Sequence, residues 1–396
     1  MPEPLDALEL TAGRRLAIVA DGDGLGALPM VRDPDGRWRR AAAGDGVAEA
    51  LLSVLSSGVA AVTRGGFTIQ SWTTRESLGE RAIGVDQTNQ SVVVGDAAVV
   101  KWATHLQQGP HPAPRRLASL REAGFDGMPT PWGLVTWRPT GGAPTLAASV
   151  DGYLPGAVDG WTWAVDLITA AGRDGDVTRF ADAAARVGIL VADMHVALGQ
   201  TATRAGADDA TRWRQAALDL LEQAVALHDL ARQRRQEIGD VLTGLGALSG
   251  ATVIDGHGDL HVGQVLLSEG RFFVTDFDGN PVLPAAQRIL PIPAALDVAG
   301  MVQSLSHAAI VACKHSELEP GSVAEVGAAG RAAFLAAYDK RLTSLGMADL
   351  YDAGALAAFQ LQQVLREIVY AAKHLPRWMY VPDAALPALL DERGPA

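Results

Sequence analysis

Apolar and polar positions change their period near residue 156. Before it, short runs of β-branched and apolar residues alternate with glycine-containing turns, which is the pattern of strands. Arg15-Leu16-Ala17-Ile18-Val19 is one such run, and Leu28-Pro29-Met30-Val31 is placed to pair back on it across the turn at 21–24. The glycines of that turn have no strand-to-helix context, so they read as turn residues and not as a phosphate loop. Asp33-Pro34-Asp35-Gly36 is a second turn, and the apolar spacing of 47–55 predicts a short helix. Further strands are expected at 82–85, 91–94 and 97–102, with Gly95-Asp96 as a tight turn between the last two. A helix over 113–122 and an antiparallel pair at 132–137 and 145–150 follow. Residues 151–156 (Asp-Gly-Tyr-Leu-Pro-Gly) break the pattern as a hinge.

From Trp161 onward the period is helical. Helices are predicted over 179–198, 208–230 with 231–245 continuing it, 295–313, 323–345 and 351–374. One stretch interrupts them. Residues 253–281 hold two apolar runs, Val253-Ile254 and Phe272-Phe273-Val274-Thr275, each delivering an acidic cluster at its end. The first cluster is His257-Gly258-Asp259-Leu260-His261 followed by Gln264, and the second is Asp276-Phe277-Asp278-Gly279. Gln264-Val265-Leu266-Leu267 reads as a strand and Ser268-Glu269-Gly270 as a hairpin turn. The expected plan is α+β: a cap over 1–80, a β-rich lobe over 81–155, and a helical lobe over 156–396. The helical lobe carries the hairpin 253–281 and a C-terminal helical segment, 351–382. A cleft between lobes is the default ligand site.

Composition narrows the class. A chain of 396 residues is too long for one ordinary core. Acidic residues exceed basic ones, 45 against 33, and the net charge of −12 argues against nucleic acid as a partner. The single cysteine, Cys313, excludes an internal disulfide framework and a cysteine zinc site. The first ten residues carry no basic, apolar leader, and no apolar run reaches the roughly 20 residues of a membrane span. A cytoplasmic enzyme, a monomer or weak dimer, is expected.

Two chemistries compete for His257-x-Asp259-x-His261: a metallohydrolase cluster with imidazole ligands, and a phosphotransfer loop. Spacing favours the second. Gln264 follows Asp259 by five residues, as Asn follows Asp in a kinase catalytic loop, and Asp276 opens a DFG-like element one hairpin later. Asp259 then accepts or orients the proton of an attacking hydroxyl. Gln264 and Asp276 offer oxygens to Mg²⁺, with ATP as co-substrate. Asp278 is a second metal ligand or an outer acceptor. Lys101, costly inside an apolar strand unless its charge is used, neutralises the ATP phosphates. The polar link 86–90 is a candidate cover for them. His257 is read as a loop support.

HGDLHVGQ followed by DFDG resembles the aminoglycoside phosphotransferase-like kinases over nearly the whole chain. The Gln form and the N-terminal cap are most similar to the bacterial maltokinases. That resemblance implies a two-lobed protein-kinase-like fold and places Lys101, Val150 and Gly152 on the ATP side. One departure stands out: the helix after Lys101 has no acidic residue before Glu122, where kinases place a glutamate partner for the lysine.

The acceptor is expected at the C-terminal helix. Gln363, Glu367, Tyr370 and His374 share a face by spacing, with Arg377, Trp378 and Tyr380 just beyond. A helix with one wet face and sealing aromatics is the equally weighted alternative. The stretch Gln360–Pro382 resembles the actinobacterial glucosamine kinases within the maltokinase-like group, which implies D-glucosamine as acceptor at its 6-hydroxyl. It also puts Asp297, with Glu367, near the sugar ammonium, and His261 on the acceptor side. Maltose, an aminoglycoside, or nucleotide binding without catalysis are the alternatives.

Overall fold

The computed structural model describes residues 3–22, 24–57, 59–83 and 90–391. Two compact units emerge. One holds 1–121, 128–156 and 278–290; the other holds 122–127, 157–277 and 291–396.

The first unit is built on antiparallel sheets. Asp6–Thr11, Arg14–Asp21, Gly24–Arg32 and Trp38–Arg40 form a four-stranded meander in chain order. Four consecutive residues of its second strand, Leu16 to Val19, are buried because both faces are covered. Leu16 and Ile18 join the main core, while Ala17 and Val19 meet Leu28, Met30 and Trp38 on the other side. That is why this strand reads as a continuous apolar run and not as an alternation. The strand Asp6–Thr11 was not expected, although its buried Leu8 and Leu10 alternate with exposed Glu9 and Thr11.

Seven strands make the larger sheet, in the spatial order Ala61–Arg64, Phe67–Ser71, Pro131–Trp137, Thr145–Gly152, Ala98–Trp102, Gln90–Val94 and Glu80–Ala82. The boundary expected at residue 80 therefore runs through a sheet: Phe67–Ser71 of the expected cap pairs directly with Pro131–Trp137 of the expected lobe, and Ala61–Arg64 joins the sheet through it. One apolar core joins Leu8, Leu16 and Leu51 to Trp102, Trp132 and Val150. Of the expected strand 82–85, residues 82 and 83 are described, and only Ala82 is in a strand, Glu80–Ala82. The polar link 86–90 lies outside the described residues except for Gln90, which opens the next strand.

Glu80 ties these parts together. Its carboxylate accepts the backbone N–H groups of Gly44 (2.8 Å), Gly46 (3.0 Å), Ala48 (2.7 Å) and Glu49 (3.1 Å) at the start of helix Val47–Ser56. Those donors have no partner inside the helix, and the helix dipole favours a negative charge there. Gly46 lends no side-chain cap of its own.

The second unit is helical around Ala294–Lys314, which buries Val298, Met301, Val302, Leu305 and Ala308. By length and composition this helix is apolar enough to cross a membrane, yet 72% of its apolar window is buried inside the fold. The sequence showed no such run because Asp297, Gln303 and His307 interrupt it, and the fold uses it as a core helix. Around it stand Gly160–Asp174, Thr178–Leu198, Ala207–Leu227, Pro320–Ser344 and Leu356–His374. The span expected as 231–245 is broken into Asp229–Gln233 and Arg235–Thr243. A final helix, Tyr380–Asp391, was not foreseen, because Pro382 and Pro387 argue against one. The hairpin strands are Val265–Ser268 and Arg271–Val274, joined by Glu269 and Gly270 at φ 47° and 76°. Positive φ at both turn residues is the hairpin geometry that matches strand twist.

Replacing Glu80 by Ala leaves the four N–H groups without their carboxylate. We expect a loss of about 1–2 kcal/mol, read as a lower urea midpoint for the sheet unit, with a smaller loss for Glu80→Gln.

Candidate active site

The catalytic stretch has little regular structure of its own, so its shape comes from what it is bonded to. Asp297, fully buried at the start of helix Ala294–Lys314, accepts the N–H of His257 (2.7 Å) and of Gly258 (2.8 Å) on its two oxygens. His195 Nε2 faces the same carboxylate at 3.3 Å, and His195 Nδ1 meets Tyr338 Oη at 2.8 Å. Burial alone would push Asp297 up. The His195 hydrogen bond, the neighbouring histidines and the Gly258 N–H overcome it and hold the carboxyl below its usual range. His257 Nε2 donates to Thr275 O (2.9 Å), which joins the loop to the end of the hairpin. Ser304 Oγ accepts the Val262 N–H at 2.8 Å. A Cβ on Gly300 would stand 2.3 Å from Leu260 O, and one on Gly160 would stand 1.6 Å from Val262 O, so two helices reach the loop through glycines.

Held this way, Asp259 presents its carboxylate with Arg366 Nη2 3.4 Å from Oδ1. Gln264 Nε2 lies 3.4 Å from Asp276 Oδ2 and 3.4 Å from His261 Nε2. Asp276 has φ 67°, a left-handed conformation that Asp tolerates better than most residues. Burial pushes the His261 imidazole below its usual range, with Asp259 pulling the other way. His261 Nδ1 accepts the Gly263 N–H at 3.1 Å.

Glu367 is placed differently from its expected face. Its Oε2 is turned inward, 3.2 Å from His307 Nε2. Burial pushes this carboxyl up to about 8, against Arg366 and a hydrogen bond from Gln363. Trp378 stacks edge-on with Trp161, centroids 6.1 Å apart, and Trp161 is 6.3 Å from His261. Trp161 was missed; its sign in the sequence is an aromatic residue one position into a helix that starts with Gly160.

Three residues expected on the acceptor side have other surroundings. Asp297 is buried, and both its oxygens serve the loop backbone. Tyr370 is 50% exposed and packs its ring against His374. Arg377 is exposed in the short turn Pro376–Trp378. A shared helix face says nothing about which part of that face is covered.

Lys101, Val150, Gly152 and Asp278 belong to the sheet unit. Lys101 pairs in register with Ser149 and Ser91, and Val150 is buried opposite Val100. Asp151, opposite Val99, is on the same sheet face as Lys101. Burial pushes its carboxyl up to about 6, and the Lys101 charge opposes that. The carboxylate facing Lys101 thus comes from the hinge strand. In helix Ala113–Glu122 the buried charge is instead Arg116, which donates to Arg288 O at 3.1 Å. Asp278 has His111 Nε2 4.0 Å from its carboxylate and Arg288 Nη1 3.4 Å from its carbonyl.

No protein-family model matches the chain. It is 58% identical over 394 residues to a glucosamine kinase of Mycolicibacterium smegmatis (strain ATCC 700084 / mc(2)155), covering 98% of both chains. The chain belongs to the glucosamine kinase family. A glucosamine kinase of Streptacidiphilus jiangxiensis is 44% identical over 99% of this chain and 92% of its own. A solved glucosamine kinase in complex with glucosamine, ADP and inorganic phosphate superposes with a TM-score of 0.86 at 40% identity, covering 97% of this chain and 93% of that one. The α+β architecture expected from the sequence, strand-rich first and helical afterwards, is the one this family has.

Asp297→Asn offers one oxygen where the carboxylate offers two, and an amide N–H then faces a backbone donor. We expect about 3 kcal/mol of lost stability and a kcat lowered roughly 100-fold, with a smaller change in KM for ATP. Thermal melts and steady-state kinetics on the same preparation check both.

Proposed function

We propose that the protein transfers the γ-phosphoryl group of ATP to the 6-hydroxyl of D-glucosamine. One observation carries the reading: the catalytic loop meets the C-terminal helix, where Arg366, beside Glu367, reaches Asp259. The proton acceptor and a carboxylate suited to an ammonium thus belong to one site. The relatives named above are glucosamine kinases, and the likeness to them extends over nearly the full chain.

Asp259 accepts the 6-hydroxyl proton or orients its lone pair, and Arg366 keeps the carboxylate turned to the acceptor. Lys101 neutralises ATP phosphate charge, with Asp151 facing it in the apoprotein. Trp161 and Trp378 give the sugar an apolar wall. Mg²⁺ fits the remaining donors. His261 Nδ1 is used as an acceptor, so in the neutral ring Nε2 carries the proton and wants an oxygen facing it. Turning the Gln264 carboxamide about its last bond puts Oε1 there, beside Asp276 Oδ2, an oxygen pair suited to a small hard cation. Among the described residues no group of three or more His, Cys, Asp or Glu could hold a metal. When bound, the Mg²⁺ ion shares the charge developing on the transferred phosphoryl group. Asp278 serves its own surroundings, His111 and Arg288, and acts outside the metal's ligands.

Parallel assays with glucosamine, glucose, maltose and an aminoglycoside, reading ATP consumption, test the acceptor. Turnover of maltose well above glucosamine overturns the proposal. Asp259→Asn is expected to lower kcat by about 10²–10⁴-fold with folding intact; unchanged activity removes Asp259 from its role. Gln264→Ala is expected to raise the Mg²⁺ concentration for half-maximal rate roughly tenfold, measured by metal titration at saturating ATP.

A further inference from the structure

Helix Ala294–Lys314 turns two polar side chains, Gln303 and His307, into the helical unit one turn apart, and both are buried. His307 Nε2 stands 2.9 Å from Gln303 Nε2 and 3.2 Å from Glu367 Oε2. Glu367 Oε2 is itself buried and, among the described residues, has no hydrogen-bond partner. The two facts together restrict the protonation. With the Gln303 amide in the orientation the structure records, its N–H goes to Nε2, and that nitrogen is then the bare one of a neutral ring. A bare nitrogen facing a bare carboxylate oxygen is repulsive. The contact turns attractive when Oε2 carries a proton aimed at the ring.

The surroundings favour the neutral pair. Burial, with a smaller push from His261, takes His307 down to about 3, so the ring stays uncharged. Burial takes Glu367 up to about 8. The groups that face Glu367 are His307 from helix Ala294–Lys314, and Arg366 and Gln363 from its own helix. His261, on the catalytic loop, acts through His307.

We propose that His307 and Gln303 are positioning residues that keep Glu367 a neutral acid in the empty site, and that an amine acceptor is recognised by exchanging that proton. For a neutral amine, the O–H bond of Glu367 breaks and an N–H bond forms on the sugar nitrogen, leaving an ammonium against a carboxylate. For an amine that arrives as ammonium, the Glu367 proton leaves to the buffer. A hydroxyl is too weak a base to take it, so glucose meets a neutral acid and exchanges nothing. This inference rests on the glucosamine reading and adds to it the protonation state that selects the amine.

Calorimetry on the full chain with a non-hydrolysable ATP analogue, in two buffers of different ionisation enthalpy, counts the protons. An amine of this kind titrates at roughly pH 8, near an α-amino group. Glucosamine binding should release about one proton at about pH 6.5 and take up about one at about pH 9.5, while glucose moves none. KM for glucosamine should rise roughly tenfold per pH unit below the Glu367 titration. His307→Gln supplies an N–H to Oε2, so it should abolish the release at low pH and flatten the KM profile while glucosamine still binds. Equal apparent enthalpies in the two buffers at about pH 6.5 overturn the proposal and leave the kinase reading standing. A release that His307→Gln does not alter overturns the role of His307. Should that variant not fold, the wild-type proton count still decides. Glucosamine that is never phosphorylated sinks the kinase reading itself.

Discussion

A carboxylate out of contact with water is tolerated only when its lone pairs are used, and the site is arranged around one such group. Asp297 accepts two consecutive backbone N–H groups from the loop and faces His195, which leans in turn on Tyr338. The order of partners assigns the protons. Asp297 needs a donor, so His195 carries its proton on Nε2 and accepts the Tyr338 hydroxyl on Nδ1. Burial pushes the Tyr338 hydroxyl well above its ordinary range, so it remains a donor. A segment with almost no secondary structure is thereby held as firmly as a strand, and Asp259, one residue beyond Gly258, takes its position from it.

The helix that carries Asp297 supports both halves of the chemistry. One turn on, Gly300 lets the loop backbone come close, and Ser304 holds Val262. Gln303 and His307 address Glu367 on the neighbouring helix. A shift of Ala294–Lys314 would disturb the loop around Asp259 and the Glu367 carboxylate together. That is reason for so many of its residues to be buried polar groups, which cost stability unless every one is matched.

The sheet unit solves a different electrostatic problem. Here the helix after the lysine strand carries Arg116 where kinases place an acid, and the negative charge is supplied elsewhere. Asp151 faces Lys101 from the hinge strand, and Asp278 stands among His111 and Arg288. Asp151 stands in for the helix glutamate. Glu80 plays a comparable part for the N-terminal region, its single carboxylate ending helix Val47–Ser56 from a strand of the larger sheet.

The sequence by itself determined what is local. The period of apolar residues marked most strands and long helices, the Asp259 to Gln264 spacing with Asp276 one hairpin later named the chemistry, and the missing acid near Lys101 was visible as an absence. Spacing works there because hairpin and helix geometry convert residue number into distance. The tertiary structure alone decided the partners. Nothing periodic says that Asp297 lies under the loop backbone, that Glu367 turns toward His307 while Tyr370 on the same helix faces solvent, or that Trp161 meets Trp378. Each depends on which neighbour covers a given side chain, and so on contacts between residues 40 to more than 200 positions apart. Burial also sets the protonation states, because the energy of a charge depends on how much water and how many partners surround it. Neither can be read along a chain before it folds.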